Sequence, residues 1–292
     1  MNYTNKANLP DEVFKVLTKE RYKGGDTTDY SVTTLKTPPR IVQLERRHWD
    51  ELEEDAIDNL WSMFGQMAHN LLEEHGSDDS MTEERVYINI FDRCISGQVD
   101  HYKDGVITDY KVTSAWSLVY GSRVKEWEEQ LNMHAYLLGY TGHEVKQIRI
   151  IAILRDWDKN KALQGGGYPD SPIQIIPITL WDIDTQKKYI ETRVWLHKES
   201  ESFDDDNLPT CFDEDMWCQP NKYAVMKEGR KTAVRVFDTE DEAKHFIDFV
   251  DDVNRYNLYS IQIRQGKRTR CESYCKVNKF CNQYQQYLKE KE

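Results

Sequence analysis

Apolar residues recur along the chain with two periods, and the switches between them lay out the expected elements. Over Asp50–Glu74, Ile57, Leu60, Phe64, Met67 and Leu71 return every three or four positions, which predicts a helix. After a loop at Gly76–Ser80 the period falls to two. Val86, Ile88 and Ile90 alternate with polar neighbours, then Ile95, Gly97 and Val99, then the stretch Val106–Val112, so three strands follow one another. Lys103-Asp104-Gly105 separates the last two, and Asp-Gly is a hairpin signal. Helical spacing returns over Val124–Tyr140. Gln147–Leu154 is a strongly apolar strand, Gln164–Pro172 a glycine- and proline-rich loop, Ile173–Ile178 a strand and Thr185–Lys198 a helix. Upstream, Asn2–Tyr30 is polar apart from Val13, Phe14 and Leu17. Tyr30–Leu35 reads as extended, and Pro38-Pro39 halts regular structure. Glu199–Pro220 reads as acidic and irregular, Tyr223–Phe237 as a hairpin and Thr239–Asn257 as a helix.

A chain of 292 residues fits one large domain, or a core with appendages. With 12% aromatic residues it is too rich in rings for a disordered chain. No run of eighteen apolar residues occurs, and no basic start is followed by an apolar stretch, so neither a membrane span nor a secretory signal is expected. Six cysteines without such a signal point to a reducing, cytoplasmic setting, where metal binding or chance explains thiols better than a disulfide framework does. The net charge of -12 argues against a protein coated in DNA-binding charge. It leaves room for a carboxylate-rich Mg²⁺ site and for a local basic groove. Arg264, Lys267, Arg268 and Arg270 are candidates for that groove, as are Lys227, Arg230, Lys231 and Arg235.

The chemistry concentrates in Ile95-Ser96-Gly97-Gln98-Val99-Asp100, a turn, and Val106-Ile107-Thr108-Asp109-Tyr110-Lys111. Side chains on a strand alternate faces, so Asp109 and Lys111 point the same way, and the turn returns Asp100 beside them. Two carboxylates can hold Mg²⁺ or Mn²⁺, and a nearby ammonium can stabilise charge on a phosphate. A surface hairpin with a solvated Asp–Lys pair is the alternative reading of this segment alone. Two helices add to it. Gly65 and His69 share one helix face, four residues apart; a helical glycine costs roughly 1 kcal/mol against alanine, and close approach of another group explains it better than helix formation does. On the second helix Gln130 and His134 also share a face.

The ordered set Gly-x-x-x-His, Gly-x-x-Asp, Asp-x-Lys and a later helical Gln resembles the PD-(D/E)XK nucleases. The likeness is to their RecB-like branch of phage exonucleases and CRISPR-associated nucleases, and it spans roughly residues 31–140. It implies an α/β fold: a mixed central sheet flanked by helices, the restriction-endonuclease-like core. That core would occupy about residues 31–198 of a single nuclease domain, with a C-terminal extension over about 199–292. The resemblance further implies His69, Asp100, Asp109 and the carbonyl of Tyr110 as ligands to Mg²⁺ or Mn²⁺. It implies Lys111 as the catalytic lysine and Gln130 as the glutamine of the third motif. His134 stands where the family has tyrosine and is carried over as a DNA contact; Arg268 and Arg270 are expected as DNA contacts from the basic groove alone. The implied reaction is hydrolysis of DNA phosphodiesters by a bacterial or phage-encoded exonuclease of recombination or end processing. A DNA-binding module with a degenerate site and a site-specific endonuclease are the alternatives.

Cys271-x₃-Cys275-x₅-Cys281 in the tail can clamp one metal centre. Several RecB-like nucleases carry a [4Fe–4S] cluster on three such cysteines and a fourth upstream of the motif histidine, where this chain has none. The fourth ligand then falls to Cys211, preferred, or Cys218. Spacing alone does not choose between iron–sulfur and Zn²⁺. Cys94, at the start of a strand, reads as a buried core thiol.

Overall fold

A computed structural model describes residues 1–19, 27–75, 79–254 and 258–291; the expected loop at Gly76–Ser80 and the expected helix end at Asn257 fall partly outside them. The chain divides into two units, Met1–Leu208 and Pro209–Glu292. The sequence placed the start of the C-terminal extension at about 199, some residues before this division.

In the first unit, β1 (Asn2–Thr4), α1 (Asp11–Thr18), β2 (Tyr30–Ser31), α2 (Val32–Lys36), α3 (Pro39–Arg47), β3 (Glu53–Asp55) and α4 (Leu60–Glu73) come first. Three consecutive strands follow: β4 (Met81–Ile90), β5 (Arg93–Lys103) and β6 (Val106–Thr113). The unit ends with α5 (Ala115–Val119), α6 (Val124–Tyr140), β7 (Gln147–Leu154), α7 (Lys159–Gln164), β8 (Ile173–Ile178) and α8 (Ile183–Ser200). Its main sheet has the order β2-β5-β6-β7-β8, with β4 also paired to β5. β4, β5 and β6 form an antiparallel meander, turned between the last two by Asp104 and Gly105 at φ 51° and 83°. β6 and β7 run parallel, which demands a long crossover, and α5 and α6 supply it. The fold is a mixed α/β sheet flanked by helices.

Alternation on the strands decides what the helices cover. Ile148, Ile150, Ala152 and Leu154 form the buried face of β7, and Val86, Ile88 and Ile90 that of β4. They join Trp127, Leu131 and Leu137 of α6 and Ile190 and Val194 of α8 in one core. Each such side chain contributes roughly 1.5–3 kcal/mol when fully buried. This packing holds α6 against the sheet, and so sets the position of Gln130.

Three expectations need correction. Tyr30–Leu35 is extended only at Tyr30–Ser31; the Ser31 hydroxyl then accepts the Thr34 N–H at 3.0 Å and caps α2. Pro39 does not halt regular structure but opens α3, since its fixed φ and missing N–H cost nothing in a first turn. The helix expected over Asp50–Glu74 begins only at Leu60, and its apolar stripe faces outward: Trp61, Phe64, Met67 and Leu71 are all exposed.

The second unit contains α9 (Asp213–Met216), β9 (Lys222–Lys227), β10 (Arg235–Phe237), α10 (Glu240–Asn254), β11 (Tyr259–Arg264), α11 (Thr269–Ser273) and α12 (Asn282–Lys291). The expected hairpin is β9 with β10, and β11 pairs the other edge of β9. Among the described residues no helix is long and apolar enough to cross a membrane.

Candidate functional site

The site forms where the meander loses its backbone pairing. The β5–β6 ladder ends at His101–Thr108. One step further the Asp100 carboxylate takes over, its Oδ2 accepting the Tyr110 N–H at 2.9 Å. On the other side of β5, Thr82 pairs His101 and Glu84 pairs Val99, while Glu83, opposite Asp100, leaves the ladder at φ +52°. A glutamate in the left-handed region costs roughly 1–2 kcal/mol. Its carboxylate meets His69 of α4, with Oε1 2.9 Å from Nδ1, while Oε2 accepts Gln98 Nε2 at 2.6 Å.

His69 links the three elements. Its Nδ1 also lies 3.6 Å from Asp100 Oδ2, and its Nε2 lies 3.1 Å from the Tyr110 carbonyl oxygen. One donor atom from each of His69, Glu83 and Asp100 falls within 4.8 Å of the others. The hydrogen bond to Glu83 raises the His69 pKa against the pull of burial, helped by the charge on Asp100. Burial, and then the charge of Asp109, push Asp100 up to about 7. Excess negative charge in a half-dry place is what a divalent cation relieves. Two carboxylates, a carbonyl and one imidazole are a donor set suited to Mn²⁺ or Mg²⁺ with waters completing the shell.

Asp109, expected as a second acidic ligand, stands outside this set, and Glu83 takes that place. Asp109 is 3% exposed, with Oδ2 2.6 Å from Lys111 Nζ and Oδ1 accepting Gln130 Nε2 at 3.1 Å. Burial opposes charge on Lys111, yet Asp109 and Asp100 outweigh it and hold its pKa above the ordinary value. Lys111 therefore stays an ammonium. Gln130 is fixed from behind by Lys36, whose Nζ donates to Gln130 Oε1 at 3.2 Å and to Glu126 Oε1 at 2.8 Å. Glu83, Lys36 and Arg85 are the site residues that the motif pattern passed over.

These groups open into a cleft of about 570 Å³, lined among others by Gly65, His69, Glu83, Arg85, Asp100 and Lys111. A Cβ on Gly65 would meet no atom of the protein within 4 Å. A close approach occurs at Gly97, where a Cβ would lie 2.9 Å from His134 Nδ1. His134 is 5% exposed, and burial lowers its pKa to about 4. It is a neutral ring packed over Gly97 that also lines the cleft. Arg268 and Arg270 are occupied within the second unit. Arg268 lies 4.4 Å over the Tyr287 ring, and Arg270 donates to the Asp215 carbonyl at 3.2 Å. Their guanidiniums tie segments of that unit together.

No protein-family model matches the chain, and no curated protein matches it. Among solved structures, the crystal structure of SSO0001 aligns with 64% of this chain and 83% of that one, at 18% identity and a TM-score of 0.38. A likeness that slight says nothing about function.

The tail thiols form a second cluster, wholly within the second unit. All six cysteines are thiols. Cys211 is pushed up to about 12 by burial, then by Asp215 and by the neighbouring Cys281, Cys271 and Cys275. Cys271 is raised to about 11 by burial and then by Cys275 and Cys281. The Gln283 side chain clamps the Cys211 segment to α12, accepting from its N–H and donating to its carbonyl, both at 2.9 Å. Cys218 instead donates to Asp213 Oδ1 at 3.4 Å. Among the described residues no three of these sulfurs lie within 4.8 Å of one another. Thiolates on one Zn²⁺, at about 2.3 Å each, stand roughly 3.8 Å apart. Cys94 is half-buried and not in the core.

Proposed function

We propose that this chain is a metal-dependent DNA nuclease of the PD-(D/E)XK type, in its RecB-like branch, acting as an exonuclease in recombination or end processing. The observation that carries the reading is the convergence of His69, Glu83 and Asp100, with the Tyr110 carbonyl, in the cleft that Lys111 also lines. His69, Glu83, Asp100 and the Tyr110 carbonyl would hold Mn²⁺ or Mg²⁺. Such an ion, when bound, activates water and neutralises phosphate charge. Lys111 presents a fixed ammonium to the scissile phosphate and stabilises the charge that builds there. Asp109 keeps Lys111 charged and aimed, and Gln130, braced by Lys36, keeps Asp109 in place.

The test uses end-labelled DNA with Mn²⁺ or Mg²⁺. Lys111→Ala and Asp100→Asn should lower the rate by at least about a hundredfold, the scale of one lost charge-stabilising group. Cleavage by both variants at the wild-type rate would remove the nuclease reading. Covalently closed circular DNA separates exonuclease from endonuclease. For the tail, we propose a structural [4Fe–4S] cluster on Cys211, Cys271, Cys275 and Cys281 that closes the second unit on itself. Anaerobic purification with iron, sulfide and zinc analysis decides it, zinc alone or no metal being the contrary results.

A further inference from the structure

Two groups of exposed rings gather where β6 and β7 end. Trp61 and Phe64 of α4 are 52% and 43% exposed, with ring centroids 5.9 Å apart, and the Arg155 guanidinium lies 4.1 Å over the Trp61 ring. Arg155 is the first residue after β7, and its N–H donates to the Thr113 carbonyl at the end of β6. Five residues beyond Lys111, Trp116 stacks on Tyr120 at 5.8 Å and 21°, and Tyr120 is 74% exposed. Lys161 of α7 sits 5.1 Å over Trp116 and 6.0 Å over Tyr168. Both groups therefore pair open aromatic rings with a cation. Neither cation makes an ion pair with a carboxylate among the described residues.

Placement gives the rings a direction. Trp61 stands on the helix that carries His69, eight residues earlier, or about 12 Å along the axis. Between them Ser62, Gly65 and Gln66 line the cleft. A polymer leaving the cleft along α4 reaches Trp61 and Arg155, and one leaving past the end of β6 reaches Trp116 and Lys161. Rings interleaved with cations suit a chain that carries both phosphates and free base faces. A duplex keeps its base faces stacked and offers such rings nothing. A protein partner would fit an apolar stripe but gives no role to a cation over each ring group.

We propose that Trp61, Phe64, Trp116 and Tyr120, with Arg155 and Lys161, form a stacking platform for unpaired bases, so that the substrate enters the cleft as a single strand. The direction of entry rests on the nuclease reading; the binding itself does not.

Binding of a labelled oligo-dT and of a blunt duplex of equal length, followed by fluorescence anisotropy in excess EDTA, tests it with hydrolysis silenced. Trp61→Ala and Trp116→Ala should each weaken oligo-dT binding by about tenfold or more, the scale of one lost base–aromatic stack. Trp61→Tyr should keep most of the affinity. Trp195→Ala, which removes an equally exposed indole (52%) on α8, should change nothing. Unchanged oligo-dT affinity in both alanine variants overturns the proposal, as does an equal loss for duplex. So does a wild-type dimer that Trp61→Ala converts to monomer, which would make the patch a self-association face. The chelated assay keeps the two readings apart. A chain that binds oligo-dT through these rings but never cleaves DNA loses the nuclease reading alone. One that cleaves DNA yet is indifferent to both ring variants loses the platform alone.

Discussion

Gly97→Ala isolates the packing that positions the site. The new methyl would lie 2.9 Å from His134 Nδ1, 3.0 Å from His134 Cε1 and 3.0 Å from Leu137 Cδ2. Optimal carbon contacts are about 3.5–4.0 Å, so at least half an ångström must be found. His134 and Leu137 are 5% and 0% exposed on α6, a helix with core on several sides, and have little room to yield. Overpacking of this kind costs about 1–3 kcal/mol. Alanine returns about 0.4–1 kcal/mol by restricting the unfolded chain. The expected net loss is about 1–2 kcal/mol, or a fall in Tm of about 2–4 °C per kcal/mol for a unit of this size. Urea unfolding followed by tryptophan fluorescence measures it. Two of the three close atoms belong to His134, so in a His134→Ala background the cost of the methyl should fall by more than half. A Gly97→Ala protein as stable as wild type, or a cost unchanged by His134→Ala, would refute the claim that α6 seats on Gly97. The same seat places Gln130, one turn earlier, 3.1 Å from Asp109, so the variant should also lose cleavage rate.

Three further outcomes are expected. His197 is fully buried in α8, with Nε2 3.1 Å from the Thr37 carbonyl and Nδ1 without a hydrogen-bond partner among the described residues. Burial, then the Arg193 guanidinium, hold its pKa at about 4, below the value in the unfolded chain. The neutral ring therefore contributes stability that is complete above pH about 6.5 and lost as pH falls through about 4, some 3 kcal/mol in all. Denaturation across that window should show a shallower pH slope for His197→Gln, and identical slopes would count against it. Gly65→Ala, with open space around the new Cβ, should stabilise α4 by about 0.5–1 kcal/mol; a stability gain accompanied by loss of DNA cleavage would mark the space as ligand volume. Cys211→Ser should lower iron content per chain if the four tail thiols share one cluster, whereas Cys218→Ser should not.

The sequence made legible whatever depends on local period. The strands of the meander, α6 over Val124–Tyr140 and β7 over Gln147–Leu154 were readable because burial on one face imposes a repeat. The same logic misplaced α4. Its apolar residues recur at helical spacing, but the repeat says only that they share a face, and that face points to solvent. His69, Asp100, Lys111 and Gln130 come together as the motif order implied. Glu83 was not legible, because its place depends on the register that sets residue 83 opposite residue 100 and on a single left-handed φ. Lys36 was hidden for a similar reason: it acts across 94 positions, through Gln130. The burial of His134 was not legible, because a polar ring at helical spacing from Gln130 gives no sign of whether sheet or solvent lies over it.

The left-handed glutamate bears on why these groups sit together. A solvated surface hairpin would shed the cost of Glu83 at positive φ by placing glycine or asparagine there. It would also have no reason to push Asp100 up to about 7, beside an imidazole already engaged by Glu83. Three local penalties coincide: an unfavourable φ, a buried carboxylate near another carboxylate, and a ladder interrupted on both sides of Asp100. Each is small enough for the surrounding core to absorb, and each is removed by substitution at a single position. Their coincidence around one cleft fits a place where the fold is held open for something it does not itself contain. In the metal-dependent reading proposed above, a divalent cation bound there would turn the clustered carboxylates from a cost into a binding energy, with Lys111 beside it for the anion that follows.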